Sequence, residues 1–96
     1  MGKVEKAIIE LNGKKVCEGT FANGLVTAPV RVIAEALGAE LVWDNATKTA
    51  TVNGKKIVGV QVINERAIAP VREVAEAAGY RVTGWDGVQR KVTIQN

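Results

Sequence analysis

Histidine is absent from this 96-residue chain. That removes the commonest metal ligand and the commonest general base. Cysteine occurs once, so no disulfide can close within the chain. Cys17 follows Val16 near a strand end and reads as a buried, inert thiol. Aromatic residues are few: Phe21, Trp43, Tyr80 and Trp85. No basic run interleaves with them, which argues against nucleic acid as a partner. No apolar run approaches the roughly 20 residues that span a bilayer, so no membrane insertion is expected. The opening MGKVEKAII has no hydrophobic signal core. No Pro/Ser-rich or low-complexity linker divides the chain.

What is present describes one small globular domain over residues 1–96, with 47% hydrophobic residues and a net charge of +3. A chain this short buries only about two-thirds of its unfolded surface, and a homodimer would add to its thin core. The mild positive charge favours solubility and weakly attracts an anionic polymer. Glu35, Glu76, Asp44 and Asp86 supply carboxylates, but no nucleophile–base constellation, metal cluster or phosphate loop accompanies them. The expectation is a non-enzyme without cofactor or metal.

The dominant feature is self-similarity. APVRVIAEALG (residues 28–38) returns as APVREVAEAAG (69–79), an offset of 41 that also carries LNGKKV at Leu11 onto VNGKKI at Val52. Beyond the helix the offset becomes 42, so that Trp43-Asp44 matches Trp85-Asp86 and TATV at Thr49 answers KVTI at Lys91. Gly84 is the extra residue and suits a bulge or kink. The segment 49–52 closes the first unit (about 8–53) and opens the second (about 50–96), so the two share a strand. This reads as a tandem duplication with a fused seam.

Each unit predicts the same elements. Asn12-Gly13 and Asn53-Gly54 are hairpin turns, because both central residues of a type I′ turn need positive φ. An extended segment follows, from Val16 in the first unit and over 57–63 in the second. Asn23-Gly24 and Asn64-Glu65 then turn the chain. Pro29 and Pro70 suit the first helical position, and Gly38 and Gly79 the position just past the helix end. Between them Val30, Ile33, Ala34 and Leu37, and likewise Val71, Val74, Ala75 and Ala78, form one apolar stripe on a helix of about three turns. Two strands close each unit, with Leu41 and Trp43 on one face. The fold class is α+β: two pseudo-repeats of antiparallel strands with one short helix each, sharing a central strand.

Assembled, NGLVTAPVRVIAEALGAELVWDNATKTATV and its second version NERAIAPVREVAEAAGYRVTGWDGVQRKVTI resemble the copper amine oxidase N-terminal-like, or stalk, domain. The resemblance runs from about Ile8 to the end. It departs in lacking an aromatic before each Val-Pro position (Val26-Thr27-Ala28 and Ala67-Ile68-Ala69) and in having Val30 and Val71 after the prolines. The resemblance implies an accessory domain of Gram-positive and phage proteins, attached to cell-wall amidases and endolysins, and not the copper-binding catalytic part. The expected function is a non-catalytic targeting module of a phage endolysin or N-acetylmuramoyl-L-alanine amidase that binds peptidoglycan or an anionic secondary polymer. It would act at the cell wall, released by lysis or carried by a larger protein. The alternative is an oligomerisation module that assembles a partner enzyme.

Candidate contacts each carry two readings. Arg31 and Arg72 sit against the dipole at their helix starts. They either clamp Asp44 and Asp86, tying helix to hairpin, or bind anionic groups of the wall. Trp43 and Trp85 are either core or flat surfaces for a sugar. Tyr80, replacing Ala39 of the first unit, is the first choice for an exposed contact. Lys14 and Lys55, with Lys15 and Lys56, either guard sheet edges or form two basic tips. Asp44, Asp86, Pro29, Pro70, Gly38 and Gly79 are assigned structural roles.

Overall fold

The computed structural model describes residues 5–96. The Met1-Gly2-Lys3 opening, read above with the missing signal core, lies outside them. The first unit contains strands β1 (Glu5–Leu11), β2 (Lys14–Ala22) and β3 (Leu25–Pro29), helix α1 (Val30–Ala36), and strands β4 (Leu41–Asp44) and β5 (Thr49–Val52). The second contains β6 (Lys55–Lys56), β7 (Gln61–Ile63), β8 (Arg66–Pro70), α2 (Val71–Ala77), β9 (Arg81–Asp86) and β10 (Lys91–Gln95). Seven strands form one sheet in the order β7-β8-β3-β2-β1-β10-β9, and β4-β5-β6 form another. Among the described residues, only β1 and β10 pair in parallel; the other neighbours are antiparallel.

The shared strand is β5. Its Thr51 and Val52 pair with Val42 and Leu41 on one side and with Lys56 and Lys55 on the other. In the seven-stranded sheet the same two roles are split between β10, which closes the second unit, and β1, which opens the first. These two lie side by side, with Ile9 against Val92 and Leu11 against Ile94.

The units meet at β3 and β8, where Ala28 stands opposite its counterpart Ala69, Thr27 opposite Pro70 and Pro29 opposite Ile68. Pairing equivalent residues across an antiparallel ladder places a local two-fold axis between the two alanines. Both are buried. From there the chain enters α1 and α2, which pack on each other. Val30 and Ile33 of α1, with Leu37 at its C-cap, join Val71, Val74 and Ala75 of α2, with Ile9, Val52 and Ile94 from the strands, in one core drawn from both units. No polar or charged residue is buried among the described residues.

The helices span seven residues each, two turns where three were expected. Proline accounts for one residue of the difference at each N-terminus, and the C-caps at Leu37 and Ala78 for the rest. Pro29 and Pro70 are the last residues of β3 and β8, with ψ 130° and 134°, and act as N-caps instead of entering the helix. The C-termini end as the sequence predicts. The Ala39 amide donates to the Ala34 carbonyl at 2.8 Å and Gly38 to Glu35 at 3.2 Å, matched by Tyr80 to Ala75 at 2.9 Å and Gly79 to Glu76 at 3.0 Å. These are paired Schellman closures. The Tyr80 side chain adds a cross-link: its hydroxyl donates to the Leu37 carbonyl at 3.2 Å, satisfying a carbonyl that α1 leaves free.

The turns keep their conformation even where their residues differ. Asn64 and Glu65 have φ of 50° and 66°, close to the 53° and 76° of Asn23 and Gly24. The bulge expected at Gly84 forms one residue earlier. Gly84 pairs with Thr93 and Val82 with Ile94, so it is Thr83, beside the glycine, that is left out of the ladder.

One expected element breaks. The segment 57–63 is not one strand: β6 ends at Lys56, a turn with Gly59 at φ 84° intervenes, and β7 starts at Gln61. The reason lies at Gly19. A Cβ there would come within 2.5 Å of the Thr27 carbonyl oxygen and 3.2 Å of both the Ala28 Cβ and the Ile9 side chain. Strand β2 runs straight past β3 only because this residue has no side chain. Glu18-Gly19 is answered by Gly59-Val60, so the second unit carries valine where closeness is required and glycine one residue earlier, where the chain bends. The three-stranded sheet is thereby cut from the seven-stranded one.

Two predictions follow from these contacts. Gly19→Ala is expected to lower stability by roughly 1–3 kcal/mol, the usual cost of overpacking, measured by urea unfolding. Tyr80→Phe removes only the hydroxyl and is expected to cost about 0.5–1.5 kcal/mol, read as a lower thermal midpoint with an unchanged circular dichroism spectrum.

Candidate functional site

Two clefts open on the surface, and the local two-fold axis relates them. The first, about 400 Å³, is formed by Pro29, Arg31, Leu41 and Trp43 of the first unit with Glu65 and Arg66 of the second. The other, about 160 Å³, has Pro70, Arg72, Val82 and Trp85 of the second unit with Gly24 and Leu25 of the first. Residue for residue these are counterparts. Each cleft takes its tryptophan hairpin and helix start from one unit and its turn from the other, so neither unit builds one alone. The β3–β8 pairing produces this exchange by laying each turn against the other unit's helix.

The clefts differ in filling. In the smaller one, Phe21 packs on Trp85 with ring centroids 4.9 Å apart at a tilt of 32°. The counterpart of Phe21 is the exposed Val62, so no second aromatic ring reaches Trp43. Arg72 leans to Glu76 at 4.0 Å along its own helix. Arg31 and Arg66 have no ion-pair partner among the described residues. Leu25 occupies in the smaller cleft the position of Arg66 in the larger. The larger cleft therefore presents an indole, two guanidiniums and one carboxylate. Its volume lies in the usual range for small-ligand sites, about 300–1,000 Å³, and its neighbour's falls below it.

The arginine–aspartate clamp expected from sequence is replaced by other bonds. The Asp44 carboxylate accepts from the Ala46 and Thr47 amides at 2.9 and 3.3 Å, and that of Asp86 from Val88 and Gln89 at 2.9 and 3.1 Å. Each aspartate holds its own hairpin turn, as a short acceptor side chain does when it can reach amides two and three residues on. The arginines are left exposed. Trp43 is half-buried against the core and Trp85 is 43% exposed, so of the two readings the core one fits Trp43 better than Trp85. Tyr80 is half-buried with its hydroxyl engaged, outside both clefts.

The lysines sit away from the clefts. Lys14 and Lys55 are exposed at the start of β2 and on the edge strand β6. Lys15 donates to Glu18 at 2.7 Å, and Lys6 lies 3.5 Å from the same carboxylate. The hydrogen bond from Lys15, then the charges of Lys15 and Lys6, hold the Glu18 carboxyl below its ordinary pKa. Cys17 is half-buried, not buried, and desolvation pushes its thiol pKa up, which lowers its thiolate content and reactivity.

Sequence reasoning named Trp43 and Arg31 but missed Glu65 and Arg66, which lie 22 or more residues downstream in the other unit. The duplication offset was the available signal, since a two-fold arrangement of repeats exchanges turns between them. As to metals, the described residues hold no group of three or more Cys, Asp or Glu able to bind an ion. The donor set does not fit copper.

No curated protein and no solved structure matches the chain. A family model does match, over residues 10–68, running from the end of β1 through the first unit into β8. That span is well over half of the chain, and by it the protein belongs to the copper amine oxidase N-terminal domain family.

Proposed function

We propose that this protein is a non-catalytic module that binds the Gram-positive cell wall, of the kind attached to a phage endolysin or N-acetylmuramoyl-L-alanine amidase, with its second half a further copy of the family motif. The observation that carries the reading is the cleft at Trp43. A half-open indole beside two unpaired guanidiniums suits a polymer that offers both sugar faces and anionic groups. The family supports it in part, because the N-terminal domain of a copper amine oxidase is an accessory domain and not the catalytic one. The module would bring a linked amidase to its substrate without itself touching the scissile bond, and would act at the wall after lysis or as part of a larger protein.

One observation favours the alternative of an assembly module. Strand β7 is the outer strand of the seven-stranded sheet and exposes Val62 and Ile63. An open apolar edge of this kind pairs readily with a second chain. The two readings are compatible, since a dimer would bring two modules to one polymer and raise avidity.

The test is sedimentation with purified Gram-positive walls. The tagged protein is expected in the pellet, with retention falling as salt rises. Protein left in the supernatant with walls from every host tried would overturn the proposal. A light-scattering mass equal to one chain at high micromolar concentration would remove the assembly reading.

A further inference from the structure

The two clefts are lined by counterpart residues but are not equivalent, and the differences run in one direction. We propose that the cleft at Trp43 is the working site and that it takes a sugar ring bearing a single free carboxylate. The inference rests on the wall-binding reading. Arg31 and Arg66 clamp the carboxylate from two sides, and the Trp43 indole receives the apolar face of the ring. The cleft at Trp85 is closed to this ligand. Phe21 fills the space above its indole, Leu25 replaces the second guanidinium, and Arg72 is turned toward Glu76.

Charge selects the ligand class. With Glu65 beside Arg31 and Arg66, the lining carries a net single positive charge, which suits a monoanion. A guanidinium matches a carboxylate with two parallel hydrogen bonds. A polyol phosphate chain offers no flat apolar face to an indole, so the aromatic floor favours a pyranose acid.

That choice places the module in a reaction sequence. In intact peptidoglycan the lactyl carboxyl of the muramic acid ring is held as an amide to the stem peptide, and an amide carries no charge. Hydrolysis of that amide adds water across the C–N bond. It releases the peptide amine, which takes up a proton, and leaves the carboxylate on the sugar. The cleft would therefore prefer glycan from which an amidase has already removed the peptide, and would hold a linked enzyme at the boundary of processed wall.

The test is an NMR titration of the intact protein with N-acetylmuramic acid and with its primary carboxamide. The two indole N–H resonances of Trp43 and Trp85 serve as separate reporters. The acid is expected to shift the Trp43 signal and to bind about tenfold or more tightly than the amide, as a charge-assisted contact implies. Arg31→Gln and Arg66→Gln should each remove most of that preference, and Arg72→Gln should leave it intact. All three side chains are exposed, and unchanged thermal midpoints would show that folding is preserved. Equal affinity for acid and amide, a shift confined to Trp85, or an equal loss with Arg72→Gln would overturn the proposal. If neither sugar binds while the protein still sediments with walls, this site assignment fails and the wall-binding reading stands. If sedimentation fails as well, both fall.

Discussion

The antiparallel contact of Ala28 with Ala69 fixes the rest of the molecule. Two buried, small residues at equivalent positions lie directly across a ladder. The two units are therefore related by rotation, not by translation along a stack. Everything downstream inherits that relation. The prolines that end β3 and β8 send two short helices off the same pair of strands, and the helices pack on each other. Seven-residue helices have little stability of their own. They persist because each buries its stripe in a core assembled from both units.

The rotation also explains why the clefts form between the units. A turn, a helix start and a tryptophan hairpin converge twice, each time with a part supplied from across the axis. The two clefts differ in filling: one holds Phe21 and Leu25 and is narrower, while the other has more space and two arginines without an ion-pair partner among the described residues. A single unit holds only a fragment of each cleft.

Much of this was legible in the residues. The 41-residue offset, the Asn-Gly turns, the glycine stops and the apolar stripes all report local rules, and local rules act within a few residues. Even Asn64-Glu65 turned as its counterpart did, because the pairing of β7 with β8 compels it. What remained hidden depended on residues far apart in sequence. Gly19 lies inside the extended segment expected from Val16 with nothing local to single it out, yet its approach to Thr27 decides that β2 is continuous, and the segment carrying Val60 in its place is split into β6 and β7. The aspartates looked like partners for the arginines, but each could reach its own turn amides without any help from the fold. Tyr80 looked like surface because its bonding partner, the Leu37 carbonyl, lies 43 residues back. Arg66 escaped notice because its role depends on which unit it faces.

The parallel pairing of β1 with β10 has a mechanical consequence. The chain enters the sheet at the Glu5 end of β1 and leaves at the Gln95 end of β10, the opposite end of the same strand pair. A pull on the chain from both sides thus drags the two strands lengthwise past each other. Their evenly spaced hydrogen bonds are loaded together, as in shear, instead of opening one by one from an end. A module strung between a heavy partner and a fixed surface would resist extension at this seam first.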